Sequence, residues 1–180
     1  MKTKFFVIFL AVSFLALGQE THSQPPQPGP EHQKLAGLVG TWTSEGEDLE
    51  SPFGPAQKWS FRIKAEWFPG RFAVVRHIEG KGSLSGQIFI LNVFAYAAKE
   101  QTHTWYEIDN YGFTGLVNAA ISEGVLKIEW ERQVKGKTYK MRGTLKGLGS
   151  DQHTYTLEYS EDGSVWKVAF RSTETRVKSN

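Results

Sequence analysis

The stretch Trp59-Ser-Phe-Arg-Ile-Lys-Ala-Glu-Trp67 decides the fold class. Apolar side chains alternate in it with polar or charged ones, which is the period of a β-strand with one buried and one solvent-exposed face. Similar segments precede and follow it at short intervals, over about 41–47, 71–79, 87–97, 102–109, 113–121, 124–133, 138–147, 152–160 and 165–177. They are separated by turn-forming residues, mainly glycine with proline, asparagine or aspartate. The chain is therefore predicted to be all-β.

About ten consecutive strands with short connections predict an antiparallel meander. A sheet of that length curls, and closure removes its unpaired edges, so we predict a closed up-and-down β-barrel. A two-sheet sandwich is the structural alternative. Ahead of the strands, residues 31–39 are predicted to form one short helix, because Leu35, Leu38 and Val39 fall at positions i, i+3 and i+4 and Gly40 follows them.

The first residues have the pattern of an export signal. Residues 1–4 are basic, residues 5–17 are almost wholly apolar, and small residues precede Gln19, so residues 1–18 are predicted to be a signal peptide. Cleavage after Gly18 is expected, with Ser23 as the alternative. The apolar run is too short for a stable transmembrane anchor. We therefore predict an exported protein, periplasmic or secreted, with no transmembrane segment after signal removal.

Composition narrows the possible functions. Loss of Lys2 and Lys4 would reduce Lys+Arg from 21 to 19, equal to Asp+Glu 19, so nucleic-acid binding through bulk charge is not expected. The chain has no cysteine, which excludes disulfides, thiol nucleophiles and a lipid-modified cysteine. Residues 19–30 are rich in proline and predicted to be a linker, and residues 31–180 are predicted to form one barrel domain, a monomer or weak dimer.

Turn geometry predicts which side chains point into the barrel. If Pro69-Gly70 is a two-residue turn, Ala65 pairs with Val74 and Ile63 with Arg76, which places Arg76 on the inner face. An anionic head group of a ligand would be one partner for this guanidinium. Glu174, on the inward parity of the last strand, is the alternative partner.

Two further turns extend the inner face. A turn at Lys135-Gly136 pairs Trp130 with Met141, and a type I′ turn at Asp162-Gly163 pairs tyrosines and a histidine of one strand with the last strand. The second register joins Tyr159 to Trp166, Leu157 to Val168, Tyr155 to Phe170 and His153 to Ser172. The interior is thus predicted to be aromatic but partly polar, which favours a ligand pocket over a filled core. We predict four ligand-binding residues: Arg76, Tyr139, His153 and Tyr155.

The sequence also resembles a known superfamily. Gly40-Thr41-Trp42 after the helix is similar to the Gly-x-Trp opening of calycin (lipocalin-like) barrels, and residues 65–80 and 160–166 resemble a bacterial family of unknown function within that superfamily. The resemblance implies that Arg176, late in the last strand, lies across Trp42 and closes the barrel. Related haem-binding barrels of the nitrobindin type use one late-strand histidine as axial ligand, for which His153 is the candidate.

We find no catalytic or metal-binding signature. Glu107 and Asp109 share one face of a strand, where a buried pair could perform acid–base chemistry, but a solvated strand end is the favoured interpretation. We therefore expect a barrel without catalysis, cofactor or metal that binds a small apolar or amphipathic molecule, with an anionic head group as one option. The alternatives are a haem or nitric-oxide-binding barrel using His153 and a small-molecule enzyme using Glu107 or a tyrosine.

Overall fold

The computed structural model of the protein describes residues 26–178. The predicted signal peptide, both candidate cleavage points and most of the predicted linker lie outside this range. Residues 26–29 form no regular element. Among the residues described, no helix has the length and apolar character needed to cross a membrane.

Ten antiparallel strands build the fold. They are β1 Gly40–Asp48, β2 Gln57–Trp67, β3 Ala73–Gly82, β4 Gly86–Ala97, β5 Thr102–Asp109, β6 Thr114–Ser122, β7 Val125–Val134, β8 Lys137–Lys146, β9 Gln152–Ser160 and β10 Lys167–Arg176. Each strand pairs with its neighbours in sequence, and β1 pairs with β10, so the sheet closes. The predicted closed up-and-down barrel is confirmed. We call the end at which β1 begins the lower end, and the opposite end the upper end.

The predicted short helix before β1 is confirmed, with bounds close to the predicted 31–39. It consists of a short α-helix, α1 Pro30–Gln33, followed by a 3-10 helix over Lys34–Leu38. A 3-10 helix has three residues per turn, so side chains at i and i+3 lie one above the other. Leu35 and Leu38 have this spacing, and both are fully buried at the lower end of the barrel. The second half of the segment therefore buries its leucines with the three-residue period of a 3-10 helix.

One of the three predicted registers is confirmed, and the other two are wrong. Between β7 and β8, Trp130 lies opposite Met141, as predicted. Between β2 and β3, Ala65 lies opposite Arg76 instead of Val74. The Phe68 N–H donates to the Ala73 carbonyl (2.8 Å), so the connection contains four residues rather than two. A shift of two residues keeps every side chain on its face, and Arg76 still points inward.

The third predicted register, between β9 and β10, is wrong by two residues over most of its length and by one residue next to the turn, where Tyr159 lies opposite Lys167 instead of Trp166. His153 lies opposite Glu174 instead of Ser172, and a β-bulge separates Val168 from Phe170. The loop is longer than a type I′ turn because the Asp162 carboxylate accepts hydrogen bonds from the backbone N–H groups of residues 164 and 165. The bulge adds one residue to β10, and beyond it the inward positions are those that were predicted.

The lower half of the barrel is filled. A cluster of buried apolar side chains from the 3-10 helix and from six of the strands occupies it: Leu35, Leu38, Ala65, Val74, Phe94, Ala119, Ile121, Leu126, Ile128 and Leu145. A smaller cluster at the upper end contains Tyr139, Met141, Tyr159 and Ala169, with Phe53 from the β1–β2 connection packed against it. The main cavity lies above the lower cluster, whose Phe94, Leu126, Ile128 and Leu145 line part of it.

Candidate functional site

The cavity inside the barrel has a volume of about 300 Å³. Its walls are mainly aromatic and branched aliphatic, with contributions from Trp59, Phe61, Ile63, Ile78, Ile88, Ile90, Phe94, Trp105, Phe113, Trp130, Leu157 and Phe170. The alternation of the strands produces this lining, because every second side chain points inward. The cavity also contains charged side chains, two arginines and four acids: Arg76, Arg132, Asp48, Glu107, Asp109 and Glu174.

A buried ion pair crosses the barrel at the base of the cavity. Arg76 on β3 donates from Nη2 to Glu174 Oε1 on β10 (2.8 Å), and both residues are less than a tenth exposed. His153 Nδ1 lies 3.2 Å from Glu174 Oε2. Burial alone would raise the pKa of Glu174, but the charge of Arg76 and the bond from His153 outweigh it and lower the pKa to about 2. Glu174 is therefore an ionised carboxylate that neutralises Arg76.

A second polar pair lies beside this ion pair. Asn92 on β4 is opposite Arg76 on β3, and its Nδ2 donates to Glu107 Oε2 on β5 (2.7 Å). Burial, followed by the charge of Asp109, raises the pKa of Glu107 to about 7, although the bond from Asn92 and the charge of Arg76 oppose the increase. Glu107 can therefore gain or lose a proton near neutral pH, which is the property of a general acid or base.

The structure separates the four predicted ligand-binding residues into two groups. Arg76 and Tyr155 line the cavity. Burial, together with the charges of Glu107 and Glu174, raises the pKa of the Tyr155 phenol. Tyr139 is buried in the upper cluster, with its ring at 5.5 Å from Phe53 and 5.9 Å from Tyr159. His153 is also outside the cavity lining.

His153, the candidate ligand of the haem alternative, is packed against Trp42 and Glu174. The side chain is fully buried, its ring centroid lies 4.1 Å from that of Trp42, and Nδ1 faces Glu174. The tautomer that donates from Nδ1 leaves Nε2 as an acceptor, and Nε2 is buried with no partner among residues 26–178. No group of three or more histidine, aspartate or glutamate side chains in the described range is placed to hold a metal ion.

Trp42 and Arg176 meet at the lower end of the barrel. They lie opposite each other on β1 and β10, and the guanidinium carbon of Arg176 is 4.0 Å from the centroid of the fully buried indole. Arg176 donates from Nη1 to the Val39 carbonyl (2.8 Å), and the Trp42 Nε1–H donates to the Leu38 carbonyl (3.1 Å). These bonds attach the 3-10 helix to the barrel floor.

Sequence reasoning missed several cavity residues. Asn92 was not considered, and the favoured interpretation of Glu107 as part of a solvated strand end is wrong, since its side chain lines the cavity. The signal for Asn92 was available, because it alternates with Ile90 and Phe94 on the inner face of β4. The inward position of Glu107 could then have been predicted from strand pairing, because Glu107 lies opposite Asn92.

Comparison with known proteins places the chain in a family. Residues 27–176 match the model of a family described as "Protein of unknown function (DUF1579)". The chain belongs to this family. No curated protein matches the chain.

Solved structures share the barrel of this DUF1579 member. Rv2717c from M. tuberculosis is similar with a TM-score of 0.58 and 12% sequence identity, covering 83% of this chain and 99% of its own. The S-type phycobiliprotein lyase CPES from Guillardia theta is similar with a TM-score of 0.51 and 12% identity, covering 85% of this chain and 100% of its own. Identity this low shows the fold alone. The resemblance to a family of unknown function is confirmed by the family match.

Proposed function

We propose that this protein binds one small, mainly aromatic or aliphatic molecule inside the barrel, with a polar end that is neutral or cationic. The observation that supports the proposal is the cavity of about 300 Å³, with apolar walls and a few convergent polar groups. Pockets for small molecules have this composition, and this volume lies at the lower end of their usual size. The ligand is therefore small.

The charges around the cavity favour the neutral or cationic end. Four carboxyl groups and two guanidinium groups line it, and Glu174 already neutralises Arg76. An anion bound at Arg76 would have to compete with this buried carboxylate and approach Glu107. The anionic head group that the sequence left as one option therefore becomes the competing outcome of the test.

Three naphthalene probes of similar shape test the proposal: 2-naphthylmethanol, 2-naphthylmethylammonium and 2-naphthoate. Calorimetric titration is expected to show that the alcohol and the ammonium bind at least about tenfold more tightly than the carboxylate, the effect of one unfavourable charge contact. Tightest binding of 2-naphthoate would instead support Arg76 as an anion anchor.

A matched pair of variants tests whether binding occurs in the cavity. Ile90→Trp places a larger side chain into the lining, whereas Phe89→Trp changes the neighbouring residue, which is exposed on the outside of β4. Binding of the naphthalene probes is expected to be lost only in Ile90→Trp, provided that circular dichroism shows both variants folded. Equal binding by the two variants would contradict a site inside the barrel.

Glu107 supports a second candidate function, proton transfer at carbon. Its carboxyl group lines the cavity and has a pKa of about 7, so a fraction is ionised at neutral pH and can accept a proton from an acidic C–H. The test is deuterium uptake at the α-carbons of 2-tetralone in D₂O, followed by NMR. Catalysed exchange by the wild type and not by Glu107→Gln supports this function, and exchange at the uncatalysed rate excludes it for this probe.

The proposal includes export before ligand binding. The support is the basic, apolar and small-residue sequence of positions 1–18. Protein recovered outside the cytoplasm should begin at Gln19 or Gln24, as determined by N-terminal sequencing. A Met1 terminus on that material would contradict export by signal cleavage.

A further inference from the structure

The wall of the barrel is incomplete between β6 and β7. These strands pair only from Ala119 opposite Ile128 to Ser122 opposite Val125, which is four residue pairs. Every other neighbouring pair of strands has six to ten. The upper part of β6 and the upper part of β7 are therefore not joined by a ladder.

A second cavity of about 230 Å³ occupies this gap. Four side chains line both it and the main cavity: Trp105, Glu107, Phe113 and Trp130. The two cavities therefore adjoin at these side chains. On the outer side of the gap, Leu116 on β6 is 68% exposed and lies beside the exposed Thr114 and Glu131.

The lower end of the barrel is closed, and part of the upper end is covered. The lower end is closed by the 3-10 helix, whose Leu35 and Leu38 are fully buried. At the upper end Phe53 packs against two tyrosine rings, with the guanidinium of Arg132 at 5.0 Å from its ring. A ligand entering from above would have to pass beside this cluster.

The gap also contains two hydrogen-bond donors without acceptors. The indoles of Trp105 and Trp130 meet edge to face, with ring centroids 5.9 Å apart. Both Nε1 atoms are buried, and neither finds an acceptor within the described part of the chain. Buried donors are nearly always paired in folded proteins, because an unpaired donor loses its bond to water without replacement. A ligand acceptor at this position would supply the missing bonds.

We infer that the gap between the upper parts of β6 and β7 is a side entrance to the cavity, and that Trp105 and Trp130 bind there a hydrogen-bond acceptor of the ligand, such as a carbonyl oxygen. The inference rests on the proposed binding function and specifies its ligand further. The ligand class is a small aromatic or aliphatic carbonyl compound.

A cross-link across the gap tests the entrance. Continuing the β6–β7 register places Leu116 opposite Glu131, so Leu116→Cys/Glu131→Cys can be joined by a short bifunctional thiol reagent, and the chain has no native cysteine to interfere. The matched control is Ala120→Cys/Lys127→Cys, a directly paired position on the same two strands. Stopped-flow tryptophan fluorescence gives the association and dissociation rates of 2-acetylnaphthalene.

The gap cross-link is expected to slow association and dissociation by a common factor with little change in Kd, while the control cross-link changes neither rate. Single-cysteine variants treated with the same reagent show any effect of its bulk alone. Unchanged rates in the cross-linked gap variant would overturn the entrance. Absence of binding to the untreated wild type would instead count against the proposed function itself.

The two indole donors are tested with a matched pair of probes. The carbonyl of 2-acetylnaphthalene accepts a hydrogen bond, and 2-ethylnaphthalene has a similar shape without an acceptor. Trp105→Phe and Trp130→Phe are each expected to weaken binding of the ketone by about 3- to 10-fold relative to the hydrocarbon, the worth of one hydrogen bond. Trp166→Phe is the control, because its Nε1 already donates to the Gly163 carbonyl.

The ratio of the two affinities separates hydrogen bonding from packing. Loss of ring volume weakens the binding of both probes alike and leaves the ratio unchanged, whereas loss of the N–H weakens the binding of the ketone alone. A ratio that stays at its wild-type value in both variants would overturn the assignment of the indoles as acceptor-binding groups.

Discussion

Gly40 shows why the first residue of the Gly-x-Trp motif has no side chain. Its φ is 139°, a region that favours glycine, and a Cβ at this position would collide with the Arg176 guanidinium. The guanidinium therefore lies where a side chain of residue 40 would be. From this position it contacts the indole of Trp42 and donates to the Val39 carbonyl. The motif is a packing requirement of the barrel floor.

This contact predicts coupled losses of stability. Arg176→Ala should lower the free energy of unfolding by about 1–3 kcal/mol through lost hydrogen bonds and cation–π contact. Trp42→Ala should cost about 3–5 kcal/mol, since it also leaves a cavity. Urea unfolding of the double variant should show a loss smaller than the sum, because the two residues touch. Additive losses would contradict a shared contact.

The buried ion pair of Arg76 predicts a loss of stability with a different cause. Its partner Glu174 is 6% exposed, so Arg76→Met leaves a buried carboxylate with only His153 beside it. Breaking a buried ion pair from one side costs about 3–5 kcal/mol. Arg76→Met/Glu174→Gln should recover part of that loss, which thermal or urea unfolding would show. A double variant no more stable than Arg76→Met would contradict pairing as the main role of Arg76.

At the scale of elements, the strands could be predicted from the sequence but two of the connections could not. Side-chain alternation fixes which face is buried, and the short Lys135-Gly136 turn fixes the β7–β8 register. Register at the other two hairpins depends on loop hydrogen bonds, such as those accepted by the Asp162 carboxylate, which residue type alone does not specify. The β2–β3 error was of two residues, so its inward face remained correct, whereas in β10 the bulge makes Ala169 rather than Val168 the buried residue near the turn.

The β1–β2 connection supplies an element-scale prediction. Phe53 lies in a tight loop in which the backbones of Ser51 and Gly54 form a bridge. The Phe53 ring packs edge-on against Tyr139 and Tyr159. Phe53→Ala should therefore lower the free energy of unfolding by about 1–3 kcal/mol, the value of a partly buried aromatic side chain. Phe68→Ala, at a residue 57% exposed beyond β2, is the control and should change little. Equal effects in urea unfolding would mean that the β1–β2 connection does not stabilise the upper end.

At the scale of the whole molecule, the site was only partly predictable. Arg76 and Tyr155 were found because hairpin geometry carried their faces inward. Glu107 was not predicted to line the site, because a carboxyl near a strand end is usually solvated. Its burial depends on β4 and β6, which pair with β5 on either side. The gap between β6 and β7 has no sequence signal of its own, because both strands keep their alternation through it.

The buried acids give the barrel a predictable pH dependence. The pKa of Glu107 is raised from 4.5 to about 7, so between these values the folded protein holds more protons than the unfolded chain, and stability falls as the pH rises. The pKa of Glu174 is lowered from 4.5 to about 2, so its contribution is present above 4.5 and is lost as the pH falls towards 2. These two groups together place the maximum of stability near pH 4.5.

Glu107→Gln tests the predicted fall in stability between about pH 4.5 and 7. The amide keeps an oxygen for the bond from Asn92 but cannot ionise, so the loss of stability between about pH 4.5 and 7 should disappear. At neutral pH the variant should exceed the wild type in free energy of unfolding by on the order of 2 kcal/mol, after allowance for the partial exposure of the carboxyl. Urea unfolding across this range is the measurement, with Glu100→Gln in the exposed β4–β5 turn as control. A profile for Glu107→Gln parallel to that of the wild type would mean that Glu107 ionises as freely in the cavity as in water, and would remove it as an acid–base group of the site.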